Sequence, residues 1–367
     1  MGFGQGAVEN LDVNPRFWQD RKVFLTGHTG FKGSWLSLWL NALGARVTGY
    51  SLPAPTEPSL FQVARVAGGM NSVTGDVRDL AALSAAARQA GPDILIHMAA
   101  QSLVRPSYDD PAETYSTNVM GTVNALETAR SLPGLQAVIV VTSDKCYEST
   151  DGQRFHPEND RLGGRDPYSS SKACAELVTA AYRDSFFGRK PGTAAVASAR
   201  AGNVIGGGDW ASDRLIPDAV RAFSNGERLK LRYPRATRPW QHVLDALGGY
   251  LMLAERLCTD APRYAESWNF GPPESRVMTV ADVATAIARK WGNDAAWETD
   301  GTNAPHEAAY LGVDASKARV RLGWKPRLDI TDALDWTVDW YRAWRDGVDM
   351  RGFSEEQIKR YGGAART

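Results

Sequence analysis

Cysteine is scarce in this chain. Cys146, Cys174 and Cys258 are the three among 367 residues, too few and too scattered for a disulfide framework or a zinc site. That scarcity predicts a reducing compartment, the cytoplasm, and no bound metal. An excess of either charge is missing too, since Lys plus Arg and Asp plus Glu each number 42. Such a balance argues against a generic nucleic-acid or membrane surface, while leaving room for a local basic pocket. No apolar run approaches the length that spans a bilayer. The first twenty residues hold no apolar stretch of the signal-peptide kind, so none is expected. Internal repeats and low-complexity tracts are absent as well. What the chain does have is 43% apolar residues, enough for one large core or two joined domains.

Short apolar runs alternate with helical patterns through the first half. Residues 22–26, 46–51, 70–74, 93–97 and 137–142 read as strands, and 31–43, closed by Gly44, reads as a helix. Further helical patterns lie near 79–90, 111–131 and 166–187. The alternation predicts an α/β fold, a Rossmann-like doubly wound parallel sheet over residues 1–196, with 239–262 returning to it. Residues 197–238 and 263–350 are expected to form a smaller, mixed C-terminal lobe, and 351–367 a tail. Helical patterns in that half fall near 213–225, 241–257, 279–292 and 329–347. Trp336, Trp340 and Trp344 recur at helical spacing, which predicts packing. Ligands of such sheets sit beyond the carboxyl ends of the strands. The loops near 27–33, 97–102, 143–148 and 200–210 are therefore where chemistry is expected.

The first of these loops reads Thr26-Gly-His-Thr-Gly-Phe-Lys-Gly33. Gly27, Gly30 and Gly33 lie between a strand and a helix, where glycines let backbone N–H groups approach a pyrophosphate. The spacing departs from the common Gly-x-Gly-x-x-Gly fingerprint. No carboxylate follows the second strand, which ends Tyr50-Ser51-Leu52, and no arginine for a 2′-phosphate follows either. NAD and NADP are thus left undivided by the motif. Lys32 or His28 can meet a phosphate, or either can be solvated. Asp76 and Val77 end the third strand, in position to hold an adenine or, for Asp76, to cap a helix.

Tyr168-Ser-Ser-Ser-Lys172 opens a helix, and a four-residue spacing puts both side chains on one face. A free phenol has a pKa of about 10, and a nearby ammonium favours the phenolate. The pair is a workable proton-transfer unit for alcohol oxidation. Upstream, Thr142-Ser-Asp-Lys-Cys-Tyr147 brings a hydroxyl, a carboxyl and an amine out together at a strand end. Ser143 can hold the hydroxyl that Tyr168 deprotonates. Asp144 and Lys145 add acid–base capacity beyond what simple oxidation needs.

Together these motifs resemble the extended short-chain dehydrogenase/reductase family over nearly the whole chain, and within it the nucleotide-sugar 4,6-dehydratases. The segments that carry the likeness are 27–35, 142–147, 166–169, Arg200-Ala-Gly-Asn-Val-Ile-Gly-Gly-Gly-Asp-Trp210, 238–243 and Pro305-His-Glu-Ala308. Their wording is nearest the branch that acts on CDP-glucose. The resemblance implies NAD as a tightly held, recycled cofactor. It adds Thr29, Phe31, Ala99, Ala100, Gln101 and Asn118 to the cofactor set, with Tyr168 and Lys172. Asn118 braces the catalytic site in such enzymes. It implies oxidation at C4 with Tyr168 as base and Ser143 orienting the oxygen, loss of water across C5–C6 with Asp144 as acid, and hydride return to C6.

Relatives acting on dTDP-glucose carry Glu where this chain has Lys145, the C5 base. An ordinary lysine, with pKa about 10.4, is neutral in roughly one molecule per thousand near neutral pH. Lys145 is read as an acid–base group; the alternative is a charged Lys145 that stabilises the enolate. Ser102, Asn203, Arg214, Arg238 and His306 are the expected substrate contacts, the arginines for their forked donors to phosphate. The resemblance also implies a homodimer or higher oligomer, formed through helices 111–131 and 166–187. Two rivals remain: a 4-epimerase or dehydratase using a UDP- or dTDP-sugar, and a dinucleotide sensor without turnover.

Overall fold

The computed structural model describes residues 13–148, 154–187, 192–273, 278–292, 294–300 and 312–363. Seven strands form one parallel sheet: β1 (Lys22–Thr26), β2 (Arg46–Ser51), β3 (Asn71–Thr74), β4 (Ile94–His97), β5 (Ala137–Val141), β6 (Ala195–Ala201) and β7 (Ser267–Phe270). Their order is β7-β6-β5-β4-β1-β2-β3. β4, β5 and β6 are buried at every position, the mark of a sheet covered on both faces. Alternate residues supply the two layers. Ile139 and Val141 join Trp35, Leu36 and Leu247 on one side, while Val138 and Val140 join Leu83, Ala87 and Leu126 on the other. Strand order reverses between β1 and β4, which opens a crevice at their carboxyl ends. Among the described residues, no helix is long and apolar enough to cross a membrane.

Two expectations need correction. The boundary drawn at 263 cuts off Ser267–Phe270, which pairs in parallel with β6 and belongs to the sheet. The helix expected at 111–131 is present as one run from Pro111 to Arg130, with a π-helical turn, Ser116–Met120, inside it. Such bulges gather at functional sites, and this one holds Asn118. The tail expected at 351–367 is instead a helix, Met350–Gly363. It docks through polar bonds that hydrophobic periodicity does not reveal. Tyr361 donates to Asp245 Oδ1 at 2.8 Å, Trp340 donates to Ser354 Oγ at 2.9 Å, and Gln357 donates to the Trp336 carbonyl at 2.9 Å. The tryptophan row thus packs as expected, with Trp344 edge-on to Trp210.

Beyond the sheet, short ladders build the second layer of the site. Val204–Ile205 pairs with Gln241–His242, Thr237–Arg238 with Met278–Thr279, and Leu229–Leu231 with Trp297–Thr299. Helix Val243–Thr259 runs back under β5 and β6.

One buried carboxylate ties the helix Pro167–Phe186 to the sheet. Glu176 accepts from Thr142, from Ser198 at 2.6 Å, from Arg200 at 2.7 Å and from Ser267 at 3.2 Å. Those partners follow β5, lie in β6 twice, and open β7. Burial alone would raise this carboxyl, but Arg200 and the Ser198 and Thr142 hydroxyls hold it below its ordinary value. The Glu176 and Arg200 side chains are 1% and 3% exposed, so removing one partner leaves a buried charge without compensation. Glu176→Gln should therefore cost about 3–5 kcal/mol, read as a lower urea midpoint at unchanged m value; an unmoved midpoint would show that the pair does not hold the helix.

Candidate active site

At the end of β1 the chain turns on Gly27, whose φ of +78° suits glycine. A Cβ at Gly27 would stand 2.7 Å from the Ala99 nitrogen, and one at Gly33 would stand 2.1 Å from the Gly27 oxygen. Gly30 caps the Phe31–Ala42 helix without a side-chain bond, so its first-turn amides are left for a ligand. A cavity of about 500 Å³ opens over them. Of the expected dinucleotide residues, Gly27, Thr29, Gly30, Phe31, Lys32 and Gly33 line it, joined by Asp76, Val77, Ala99, Ala100 and Gln101. An anion-ready helix start inside a long, mostly apolar cleft fits a dinucleotide.

Past β2 the wall is Ser51, Leu52 and Pro53, with neither a carboxylate nor a cation. Thr29 donates to the Leu52 carbonyl at 2.9 Å and takes the Ser51 hydroxyl proton, also at 2.9 Å. Asp76 is paired with Arg78. His28 faces away from any phosphate. It meets Ser72 at 2.7 Å, and burial pushes it down to about 4, leaving it neutral. Asn118 stands behind the wall, 1% exposed. Its amide accepts from the Gln101 nitrogen at 2.9 Å and donates to the Gln101 carbonyl at 3.0 Å and to Ser171 at 2.8 Å. It therefore supports the pocket wall through Gln101 and does not itself line the cavity.

The catalytic wall forms where β5 and β6 end. Val141 is in register with Ala199, and beyond it the turn Asp144–Cys146 is capped by Ser143, whose hydroxyl accepts from the Lys145 nitrogen at 3.2 Å. Ser143 donates to Asp144 Oδ1 at 3.0 Å. Pro167 starts the facing helix and Asp166 caps it through the Ser169 nitrogen at 2.9 Å, which sets Tyr168 in its first turn. Ser143, Asp144, Lys145 and Tyr168 line one cavity of about 250 Å³. Phe31, Lys32, Ser102 and Arg214 line this cavity and the dinucleotide cavity alike, so the two sites are contiguous.

Burial pushes Tyr168 up to about 12, against a hydrogen bond with Ser143 that favours the phenolate. Lys172, 6% exposed, is pushed down to about 8 by burial, with Glu176 acting the other way. Burial also lowers Lys32, to about 7, helped by the Lys172 and Arg214 charges and opposed by Asp144. Lys32 and Arg214 thus line the cavity beside Asp144 and Tyr168, with the Lys172 charge acting on Lys32 from behind the wall.

The expected substrate residues divide. Arg214 donates to Ser102 at 3.0 Å and to Asp209 at 2.9 Å, which holds it at the junction of the two cavities. Asn203 lines the catalytic cavity in a left-handed conformation, φ +45°. Arg238 lies in an adjoining cavity of about 190 Å³, whose Asp213, Arg232 and Trp240 also line the catalytic one. His306 falls outside the described residues. Several residues in or beneath the site had no individual role expected: Glu176, Arg200, Gly202, Asp209 and Tyr250. Arg200, Gly202 and Asp209 fall in the 200–210 segment singled out in the sequence, and Glu176 lies one turn beyond Lys172 on the same helix face. The Tyr250 hydroxyl is buried without a hydrogen-bond partner among the described residues and is electrostatically coupled to Tyr168 and Asp144.

A doubly wound sheet, a glycine-lined helix start and a Tyr–Lys pair beside a Ser-Asp-Lys turn define a dinucleotide-dependent enzyme of the extended short-chain dehydrogenase/reductase type. The profile of the GDP-mannose 4,6 dehydratase family matches residues 24–337, and the chain belongs to that family of nucleotide-sugar dehydratases. It is 51% identical over 352 residues to a CDP-glucose 4,6-dehydratase of Salmonella typhimurium, covering 95% of this chain and 98% of the relative. A dTDP-glucose 4,6-dehydratase of Xanthomonas campestris is 27% identical, covering 91% and 97%. The solved dTDP-glucose 4,6-dehydratase DesIV of Streptomyces venezuelae, with NAD bound, superposes with a TM-score of 0.73 at 25% identity, covering 89% of this chain and 98% of that one.

Replacing the phenol tests the constellation. Tyr168→Phe should slow formation of reduced cofactor in a single turnover by about 10²–10⁴-fold, with dinucleotide affinity by calorimetry little changed; full-rate oxidation would remove Tyr168 from the chemistry.

Proposed function

We propose that this protein is a hydro-lyase that converts CDP-glucose to CDP-4-keto-6-deoxyglucose with NAD. The observation that carries the reading is one cavity lined by Ser143, Asp144, Lys145 and Tyr168 and open to the dinucleotide cleft. An oxidation needs Tyr168, Ser143 and Lys172. Elimination of water needs further acid–base groups, and Asp144 and Lys145 are in place to act. The 51% identity to a CDP-glucose 4,6-dehydratase supports CDP as the nucleotide. NAD is favoured over NADP by the solved relatives, which hold NAD.

NAD held over Gly27, Gly30 and Gly33 would supply a hydride acceptor for C4, positive charge beside Tyr168, and the hydride needed at C6. Ser143 holds the C4 oxygen while Tyr168 Oη takes its proton, with Lys172 stabilising the phenolate. The C4 ketone then acidifies C5–H. Lys145 Nζ removes that proton, and Asp144 gives a proton to the C6 oxygen as the C6–O bond breaks and water leaves. With hydride at C6, Lys145 returns its proton to C5 and the proton taken by Tyr168 passes by way of Ser143 to Asp144, so the sum is redox-neutral and each side chain is restored. Arg214, between the two cavities, and Arg238, beyond them, hold the sugar diphosphate, with Ser102 and Asn203 closing the pocket. The sheet with helix Val243–Thr259 forms the cofactor-binding unit, and the short ladders form the substrate-binding unit. Exposed Met120, Leu177 and Phe186, on and beside helices Gly121–Arg130 and Pro167–Phe186, support a homodimer through that face. Three free cysteines are in keeping with the cytoplasm.

With NAD and CDP-glucose the protein should yield a product with the alkaline ultraviolet absorbance of a 4-keto-6-deoxy sugar. Product from UDP- or dTDP-glucose alone would overturn the choice of nucleotide, and a C4 epimer alone would replace dehydratase by epimerase. Lys145→Met should abolish exchange of the C5 proton with solvent while leaving C4 oxidation measurable; undiminished dehydration in that variant would take Lys145 out of the mechanism.

A further inference from the structure

We propose that Gly202 is a positioning residue for Asp144: the missing side chain at 202 creates the seat from which Asp144 serves the water-loss step. This rests on the reading of Asp144 as the acid of that step. The seat follows from sheet register. Val141 of β5 pairs with Ala199 of β6, and three residues further along each chain stand Asp144 and Gly202. A Cβ on Gly202 would lie 1.8 Å from Asp144 Oδ2, 2.0 Å from its Cγ and 2.6 Å from Oδ1. All of these are far inside contact distance, so the carboxyl occupies the space a side chain at 202 would take.

The Gly202 backbone has little freedom to move aside. Gln241 donates through Nε2 to the Gly202 carbonyl at 3.3 Å and to the Phe270 carbonyl at 2.8 Å, and its own nitrogen bonds the Asn203 carbonyl at 3.3 Å. Asn203, immediately after, is fixed in a left-handed conformation. On the other side, Asp144 Oδ1 is tied to Ser143 at 3.0 Å, while Oδ2 is buried with no partner among the described residues. The soft element in the contact is therefore the Asp144 side chain, which turns about two bonds. A methyl at 202 displaces that carboxyl instead of unravelling the strand end. Of the groups that act at C4, Ser143 gives up its bond to Asp144 but keeps the one from the Lys145 nitrogen, and Tyr168 keeps its support from the cap at Asp166. The consequence is a split between half-reactions: Gly202→Ala impairs elimination and spares oxidation.

The test compares Gly202→Ala, Asp144→Ala and the double variant in single turnovers of CDP-glucose with NAD, following reduced cofactor and keto-deoxy product separately. Gly202→Ala should slow product formation by about tenfold or more, a general-acid-sized loss, so that reduced cofactor accumulates while its rate of formation stays within about threefold. The double variant should be no slower than Asp144→Ala, because the two changes act on one group. Melting temperature gives a reading free of activity: any destabilisation by Gly202→Ala should vanish in the Asp144→Ala background. If Asp144→Ala itself leaves elimination intact, the role of Asp144 fails. If Asp144→Ala impairs elimination but Gly202→Ala does not, the positioning proposal fails. Losses that add in the double variant, or destabilisation that persists there, overturn it as well.

Discussion

Glu176 and Arg200 form an ion pair with almost no exposure to solvent, between a helix and three strands. The same carboxylate accepts from Thr142, Ser198 and Ser267. Thr142 is the residue before Ser143, and Tyr168 and Lys172 lie two turns and one turn before Glu176 on its helix. The distance between the phenol and the Ser143–Lys145 turn is therefore set by this one bond cluster. A misplacement of about 1 Å at reacting groups can cost roughly 10²-fold in rate, so a rigid, densely bonded support beneath the site has a catalytic meaning as well as a structural one. Arg200 extends it by donating to Tyr147 at 2.7 Å, whose hydroxyl donates to Asn269 at 2.7 Å. Strand β7 is thereby joined to the catalytic turn.

Above that support the site is electrically unusual. Lys32 and Arg214 line the cavity that Asp144 and Tyr168 share, and the buried Lys172 charge acts on Lys32. Burial lowers Lys172 toward neutrality and raises the Tyr168 phenol, so neither group is poised for proton transfer on its own. Glu176 sits behind Lys172 and supports its charge, which is the state that stabilises a phenolate. The support and the chemistry are thus linked through one carboxylate. Arg214, held by Asp209, adds a fixed cation where the two cavities meet.

What could be read from sequence was local. The Gly27–Gly33 loop, the Tyr168–Lys172 pair and the Ser143-Asp144-Lys145 turn depend on short spacings, and each stands where the strand pattern put it. Asn118 was legible as a site residue, but its bonds to the Gln101 backbone and to Ser171 come from a π-helical turn that periodicity does not encode. β6, Ala195–Ala201, is built of Ala, Ser and Arg with a single valine and gives no β-branched signal. Ser267–Phe270 and Met350–Gly363 escaped for a related reason: their places are fixed by pairing and polar docking to distant segments. Gly202 lies in a segment singled out in the sequence, but its close approach to Asp144 was invisible there because it exists only when β5 and β6 lie side by side.

The central claim is that one cavity oxidises C4, eliminates water, and returns the same hydride to C6. CDP-glucose carrying deuterium at C4 tests this most directly, with the product analysed by mass spectrometry and NMR. The account predicts deuterium at C6 of a 4-keto-6-deoxy sugar, retained within each molecule. Deuterium back at C4, on either face and with the C6 hydroxyl intact, would contradict it.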